Sequence, residues 1–325
     1  MRLYAYLDDG PRVGLLDESG LVVRRVPELD GGLDLALAEG RFEAALTAAR
    51  GSSELGDPEL AADLEPLPAI EFPGKIVCVG LNYRDHLAEQ GIEAPPRPTL
   101  FAKFGNAIVG DGEPIVRPEG TRALDLEVEL GVVIGRRAHR APAGEAMAHV
   151  AGYVVVNDVT ARDWQGNKAA LAPGERGDGQ WLRAKGADTF LPMGATFATR
   201  DDIADPQALR LRSWRIPATG PDAGRPVAMQ DASTADMIWG VPELIEFVSR
   251  AITLEPGDVI ATGTPAGVGV FRAPPVFLVP GDRVRCEVER LGSVENPVVD
   301  WTAVRDDPAL ATATPPTGAS REEPE

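Results

Sequence analysis

The chain has 325 residues, of which 44% are hydrophobic, 25% charged and 6% aromatic, a composition typical of one or two globular domains. Its 32 basic and 50 acidic residues give a formal net charge of −18, and no basic stripe interrupts this acidic excess. Such a charge repels phosphate backbones and anionic lipids, so the sequence predicts neither nucleic-acid nor membrane partners. A small anionic substrate would need a local positive centre, supplied by a metal ion or by a few Arg and Lys side chains.

The cysteine content and the N-terminus together predict a cytoplasmic protein. Cys78 and Cys286 are too few for a disulfide framework and form no Cys-x-x-Cys motif, which fits a reducing compartment. The opening MRLYAYLDDG lacks the apolar core of a signal peptide, and no apolar run approaches the ~20 residues of a membrane span.

The sequence of residues 1–72 predicts a small α/β domain, and we identify no candidate catalytic or binding residues in it. Short alternating segments and the turns DDG and DESG predict strands over residues 2–26. Residues 33–49 are rich in helix formers, with Gly40 as a weak point, and a stretch rich in Pro and acids follows as a linker that ends near Pro73.

Residues 73–303 predict a second, larger domain of the α+β class. Short apolar strands alternate with Gly-rich and Pro-Gly-Asp turns, and few segments have helical character, so we expect a β-rich core with peripheral helices. The remaining segment, residues 304–325, is rich in Pro, Thr and acids and is predicted to be a disordered tail.

The most distinctive motif is Asp125-Leu126-Glu127-Val128-Glu129, in which acids alternate with apolar residues. On a strand, alternation places the three carboxylates on one face. That face could be solvated, but the strand continues into the apolar segment GVVIG, which predicts burial, and buried carboxylates need a cation.

Asp158 follows the apolar run YVVVN and has two interpretations. It could be the N-cap of a helix over VTARDWQ, or it could join Glu127 and Glu129 in an all-oxygen site. Such a set suits Mg²⁺ or Mn²⁺ rather than zinc, because the chain has three histidines and no Cys cluster.

Further polar residues are candidates for binding substrate or transferring protons. His86 and Glu89 are spaced to share one helical face, where a carboxylate can orient an imidazole, although a solvated pair has the same spacing. Arg162, Gln165 and Lys185 are candidate clamps for an anionic substrate. The Gly-rich turn TGTPAGVG at residues 262–269 offers amides and hydroxyls to a carboxylate or an oxyanion.

In this order, these segments resemble the fumarylacetoacetate hydrolase family. The matching strings are KIVCVGLNYRDHLAE, LDLEVELGVVIG, AGYVVVNDVTARDWQ, QWLRAKGADTFLPMG, VPELIEFVSRAITLEPGDVIATGTPAGVG and FLVPGDRVRCEVERLGSVENPVV, which cover nearly all of residues 73–299. The chain departs from the family's usual Lys-Pro-Ser pattern at residues 103–107, and its segment between Gln165 and Trp181 is long.

The resemblance implies a mixed β-roll core of the fumarylacetoacetate hydrolase type, a variable N-terminal domain and a homodimer. It implies that Glu127, Glu129 and Asp158 bind Mg²⁺ or Mn²⁺, and that His86 and Glu89 form a water-activating dyad on a lid. By the same resemblance, Lys185 belongs to the catalytic set, and Arg162, Gln165 and Thr264 contact the substrate.

The leading prediction is therefore hydrolytic C–C cleavage of an acylpyruvate-like β-diketo acid, with pyruvate leaving as an enolate held at the metal. Decarboxylation of oxaloacetate, and isomerisation or decarboxylation of a 2-hydroxymuconate-type diacid, use the same enolate and stay open. A third alternative is a catalytically silent metal-binding scaffold, which the presence of both His86 and Glu89 disfavours.

Overall fold

The computed structural model describes residues 1–51 and 55–304. The predicted disordered tail therefore lies, except for its first residue, outside the described part of the chain. In the N-terminal third the strands are β1 (Arg2–Leu7), β2 (Pro11–Leu16), β3 (Val22–Arg25), β4 (Pro58–Leu60), β5 (Glu65–Pro66), β6 (Ile76–Gly80), β7 (Thr99–Lys103), β8 (Ile108–Val109) and β9 (Ile115–Arg117). The later strands are β10 (Leu124–Asp125), β11 (Val128–Ile134), β12 (Val150–Asn157), β13 (Thr160–Ala161), β14 (Leu191–Pro192), β15 (Thr196–Thr199), β16 (Arg210–Ile216), β17 (Val227–Ser233), β18 (Val259–Ala261), β19 (Arg283–Val288) and β20 (Gly292–Asp300).

The helices of the described residues are mostly short. They are α1 (Gly32–Ala38), α2 (Phe42–Gly51), α3 (Arg84–Gln90), α4 (Ala143–Ala146), α5 (Arg162–Gln165), α6 (Trp181–Lys185), α7 (Val241–Ser249) and α8 (Trp301–Val304). Gly40 separates α1 from α2 with a φ of +68°, a left-handed conformation that glycine adopts without steric cost. None of these helices combines the length and the apolar character needed to cross a bilayer.

The fold is a strand-rich α+β fold, as predicted. One large mixed sheet has the order β4-β3-β2-β1-β15-β12-β11-β18-β6-β7, with β5 paired to β1, and a five-stranded sheet has the order β17-β16-β19-β20-β9. The smaller sheet packs through β16 and β19 against β11 of the larger one. Because β1 pairs with β15, strands β1 to β5 extend the central sheet.

Strands β11 and β12 form the centre of the core. Both are rich in β-branched residues, which suit a packed pleated surface, and every residue of both strands is buried. The sequence predicts this burial, because GVVIG and YVVV are apolar on both faces.

Candidate active site

Four strands of the large sheet end or begin at the same edge, and that edge carries the predicted acids. Strands β11 and β12 are antiparallel with Val128 opposite Asn157, so the start of β11 lies beside the end of β12. The backbone N–H of Asp158 donates to the Glu127 carbonyl at 2.9 Å. Strand β18 is antiparallel to β11, and β6 is parallel to β18, so the segments after both strands reach the same edge.

The three predicted metal ligands converge there. Glu127, Glu129 and Asp158 are all buried, and each offers a carboxylate oxygen within 4.8 Å of the others. Asp158 is not a helix N-cap, because β13 follows it and α5 begins only at Arg162. The chain between residues 125 and 128 leaves the strand conformation, which places Asp125 in the separate strand β10 rather than on one continuous acidic face.

Buried cations hold two of these carboxylates. Lys185 Nζ lies 2.6 Å from Glu127 Oε2 and 2.7 Å from Asp158 Oδ2. Arg162 Nη2 lies 2.6 Å from Glu127 Oε1, and its Nε donates to Asp125 Oδ2 at 2.8 Å. Burial alone would raise the pKa of Glu127, but the charges of Lys185 and Arg162 lower it to about 2.

Glu129 has a different environment from its two neighbours. Its Oε2 accepts the Gly263 N–H at 2.9 Å, and among the described residues no Arg or Lys forms an ion pair with it. Burial, and then the negative charges of Asp158 and Glu127, raise the pKa of Glu129 well above its ordinary value. A cation placed among the three carboxylates would offset this repulsion.

The donor set fits a hard divalent cation. Three carboxylates from three chain positions supply oxygen ligands only, and Mg²⁺ and Mn²⁺ prefer such ligands. Because Asp158 and Glu127 repel the charge of Glu129, a bound cation in addition to Lys185 would stabilise the ionised site. Glu127, Glu129 and Asp158 would hold the ion, and an ion held there would polarise a carbonyl oxygen of a bound ligand.

Lys103 is a site residue that the sequence analysis did not identify. Its Nζ lies 2.7 Å from Asp158 Oδ1 and donates to the carbonyls of Val159, Lys185 and Phe190. Burial lowers the pKa of Lys103, and the Asp158 carboxylate opposes this effect. In the sequence Lys103 is the last residue of strand β7, and nothing in that position signals burial, because lysine is rarely buried unless it is paired.

His86 and Glu89 contact each other on α3, as their spacing predicts. His86 Nδ1 lies 2.6 Å from Glu89 Oε1, and Glu89 Oε2 accepts the Gly267 N–H at 2.9 Å. The carboxylate is therefore fixed from two sides, and Nε2 is the ring nitrogen left for proton transfer. The His86 ring also packs edge-on against Phe271, with 5.8 Å between centroids.

The Gly-rich turn at residues 262–269 binds carboxylates of the protein itself. Besides Gly263 with Glu129 and Gly267 with Glu89, the N–H groups of Gly269 and Val270 donate to Asp125 at 2.8 and 3.0 Å. Gly267 has a φ of +105°, and a Cβ there would lie 2.2 Å from the Met229 carbonyl oxygen. The sequence predicts that the turn holds a carboxylate or an oxyanion, and the carboxylates that it binds in the structure belong to Glu89, Asp125 and Glu129 of the protein itself.

The predicted substrate contacts surround one cavity but are already engaged within the protein. Gln165 Oε1 accepts from Arg162 Nη1 at 3.3 Å, so Gln165 is held beside the buried ion pairs. We call these ion-paired groups, together with Glu129, the floor of the site; its members are Asp125, Glu127, Glu129, Asp158, Lys103, Arg162 and Lys185. Thr264 Oγ1 donates to the Val128 carbonyl and accepts from Gln230 Nε2. The cavity measures about 310 Å³, and its lining includes His86, Glu127, Glu129, Arg162, Gln165, Lys185 and Thr264.

The comparison with family models agrees with the resemblance seen in the sequence. The model described as fumarylacetoacetate (FAA) hydrolase, C-terminal, matches residues 75–299, which is more than half of the chain. The chain belongs to the fumarylacetoacetate hydrolase family.

Curated members of this family match over most of their length. The mitochondrial oxaloacetate tautomerase FAHD2A of Bos taurus is 42% identical over 293 residues, covering 89% of this chain and 88% of the relative. The Homo sapiens protein of the same name is 41% identical over 300 residues, with the same coverage of both chains. These relatives carry a mitochondrial location in their names, so the predicted cytoplasmic location stays a prediction.

Solved structures of the family share the fold. The 2-hydroxyhepta-2,4-diene-1,7-dioate isomerase from Mycobacterium marinum matches with a TM-score of 0.67 and 33% identity, covering 92% of this chain and 98% of that one. A fumarylacetoacetate hydrolase from Exiguobacterium antarcticum matches with a TM-score of 0.74 and 30% identity, covering 92% and 99%. Hydrolase, isomerase and tautomerase names thus occur within the fumarylacetoacetate hydrolase family.

The buried position of Lys103 leads to a prediction about stability. We expect Lys103→Met to lower the free energy of unfolding by about 3–5 kcal/mol, because one oxygen of Asp158 and three carbonyls lose their donor. Chemical denaturation of the metal-free protein measures the change. Lys168→Met, at an exposed lysine, is the control and should stay within about 0.5 kcal/mol of wild type. Equal stability of the two variants would contradict the structural role of Lys103.

Proposed function

We propose that this chain is a divalent-metal-dependent enzyme that interconverts the keto and enol forms of oxaloacetate. The observation that carries the proposal is that His86, whose Nδ1 contacts Glu89, lines the same small cavity as the acids Glu127 and Glu129. The names of the relatives at 41–42% identity support this choice of reaction. Tautomerisation was not among the reactions predicted from the sequence, but it shares the enolate chemistry of all of them.

The proposed reaction requires a base at C3 of the substrate and a positive environment around the C2 oxygen. His86, oriented by Glu89 through Nδ1, would take the C3 proton at Nε2 and return it in the reverse direction. Lys185 would place an ammonium group beside the developing oxygen charge, since its Nζ is already among the carboxylates of the floor. The metal ion, when bound, supplies further polarisation of the C2 carbonyl.

The size and polarity of the cavity also favour a short 2-oxo acid. About 310 Å³ lies at the small end of the range for ligand pockets. Its floor is polar and charged, which suits the carboxylate and keto oxygens that all candidate substrates share.

Hydrolytic cleavage of an acylpyruvate is the second candidate. The His86–Glu89 contact that would remove a proton from carbon could equally remove one from water, which would then attack the distal carbonyl. The two reactions differ in their products, because hydrolysis releases pyruvate and a carboxylic acid whereas tautomerisation releases neither.

The test compares oxaloacetate and acetylpyruvate with the same enzyme preparation. We expect metal-dependent acceleration of keto–enol exchange of oxaloacetate, followed by the absorbance of the enol, with loss of the acceleration after chelation. Protein-free samples with the same Mg²⁺ or Mn²⁺ concentration correct for catalysis by the ion alone.

The same assay separates the alternatives through pyruvate. Release of pyruvate and acetate from acetylpyruvate, without tautomerase activity, would replace the proposal by C–C hydrolysis. Pyruvate and carbon dioxide from oxaloacetate would instead indicate a decarboxylase. A protein that binds the metal but accelerates none of these reactions would support the scaffold alternative.

A further inference from the structure

The outer part of the cavity is lined by aromatic side chains. Phe101 and Trp181 form an edge-to-face pair with 5.6 Å between ring centroids and 70° between ring planes. On another part of the wall, Phe271 packs against the ring of His86. Val79 and Leu81 add aliphatic surface to these aromatic rings.

The aromatic pair leads from the charged floor toward solvent. Lys185 Nζ lies 5.0 Å from the centroid of Phe101, and Phe101 in turn contacts Trp181. Trp181 is 38% exposed although it lines the cavity. A substrate whose oxygens lie near Lys185 and whose carbon chain points outward would therefore pass Phe101 first and Trp181 next.

The charges of the cavity define what kind of group fits this outer part. Among the described lining residues, Arg162 and Lys185 are the Arg and Lys side chains, and both are bound to carboxylates at the floor. The other polar side chains include the amides of Gln90, Gln165 and Asn167. The distal carboxylate of a diacid longer than oxaloacetate would lose water at the aromatic wall without gaining an Arg or Lys partner, whereas an aromatic ring would gain contact area there.

We propose that the cavity also accepts 2-oxo acids that carry an aryl group on C3, and that the enzyme interconverts their keto and enol forms. This inference rests on the proposed tautomerase function and names a further substrate class for it. The 2-oxo acid group would bind at the floor, while the ring would lie against Phe101 and Trp181.

The step is balanced without any co-reactant. The C3–H bond breaks, His86 takes the proton, and the electron pair of that bond forms the C2=C3 double bond. The former carbonyl electron pair stays on the C2 oxygen, which takes a proton from water to give the enol, while His86 releases the proton from C3 to water. The reverse sequence restores the ketone, and nothing is oxidised or reduced.

Phenylpyruvate is the probe for this proposal, with oxaloacetate assayed in parallel on the same metal-loaded enzyme. We expect acceleration of phenylpyruvate tautomerisation, followed by the absorbance of its enol. In Trp181→Ala, the ratio of kcat/KM for phenylpyruvate to kcat/KM for oxaloacetate should fall about tenfold, because one face of the aryl site is lost.

Two further variants separate an aryl-binding role from a general effect on folding. Leu182→Ala removes the next side chain of α6, which is 58% exposed and not part of the cavity lining, and should leave the ratio at the wild-type value. Trp181→Phe keeps an aromatic ring at this position and should retain most of the wild-type ratio. It therefore tests the aryl site even if Trp181→Ala folds poorly.

Each outcome decides between the two proposals or rejects both. Turnover of oxaloacetate without turnover of phenylpyruvate would overturn the aryl site and leave the proposed function intact. Turnover of phenylpyruvate alone would support the aryl site and overturn oxaloacetate as the substrate. An unchanged ratio in Trp181→Ala would remove the aromatic wall from substrate recognition, and failure of both substrates would overturn both proposals.

Discussion

Glu129→Gln is expected to abolish divalent-metal binding and to lower metal-dependent turnover at least ~100-fold. Replacing a residue that only hydrogen-bonds a metal ligand already lowers affinity or activity by up to about 100-fold, and Glu129 would be a ligand itself. Glutamine keeps the shape of the side chain, and its amide oxygen can still accept the Gly263 N–H. The substitution removes the negative charge of Glu129, which lies near Asp158 and Glu127 and forms no ion pair with an Arg or Lys of the described residues. The metal-free variant should therefore be at least as stable as metal-free wild type.

The measurement pairs calorimetric titration of Mn²⁺ with thermal unfolding in the presence and absence of the ion. Wild type should gain stability on adding the metal, because the ion binds the folded chain, and Glu129→Gln should gain none. Glu145→Gln, at an exposed acid of α4, is the matched control and should behave as wild type. Wild-type Mn²⁺ affinity in Glu129→Gln would remove this residue from the metal site.

The convergence of the three acids could be predicted from the sequence because the signal lies in short segments. The alternation of Glu127 and Glu129 with apolar residues indicates a shared direction, and Asp158 follows a second buried strand. The structure adds the register, with Val128 opposite Asn157, that brings the two strand ends together. Likewise, the spacing of His86 and Glu89 is local to one helix and needs no tertiary information.

The counter-ions could not be predicted, because their partners are distant in the chain. Lys103 is 55 residues from Asp158, and its burial depends on how β7 packs beside the ends of α6 and β12. For the same reason Arg162, predicted as a substrate clamp, forms ion pairs with Asp125 and Glu127 in the structure. A basic residue in sequence gives no sign of whether its carboxylate partner belongs to the substrate or to the protein.

These ion pairs determine the charge that a ligand meets. With all groups ionised, four buried carboxylates meet three buried cations and leave one formal negative charge at the floor; the groups are Asp125, Glu127, Glu129, Asp158, Lys103, Arg162 and Lys185. A divalent ion would reverse that sign and make the floor attractive to an anionic 2-oxo acid. The local positive centre that the acidic chain requires would thus form only when the metal binds, so substrate affinity should depend on it.

His86→Gln is expected to lower kcat by a factor of about 10²–10⁴ while leaving Mn²⁺ affinity at the wild-type value. The imidazole contacts Glu89 and Phe271 and does not belong to the cluster of Glu127, Glu129 and Asp158, so its loss removes proton transfer without removing a metal ligand. Glu89→Gln should cause a smaller loss, because the amide can still contact His86 and Gly267 but no longer stabilises an imidazolium.

The control for this prediction is His139→Gln, at an exposed histidine that contacts Thr253. It should retain wild-type kcat and metal affinity. Pre-steady-state mixing with deuterated substrate adds a direct readout, since proton removal from C3 should show an isotope effect in wild type. If His86→Gln keeps more than half of the wild-type kcat, the base lies elsewhere, and Lys185 becomes the next residue to replace because it lies at the same floor.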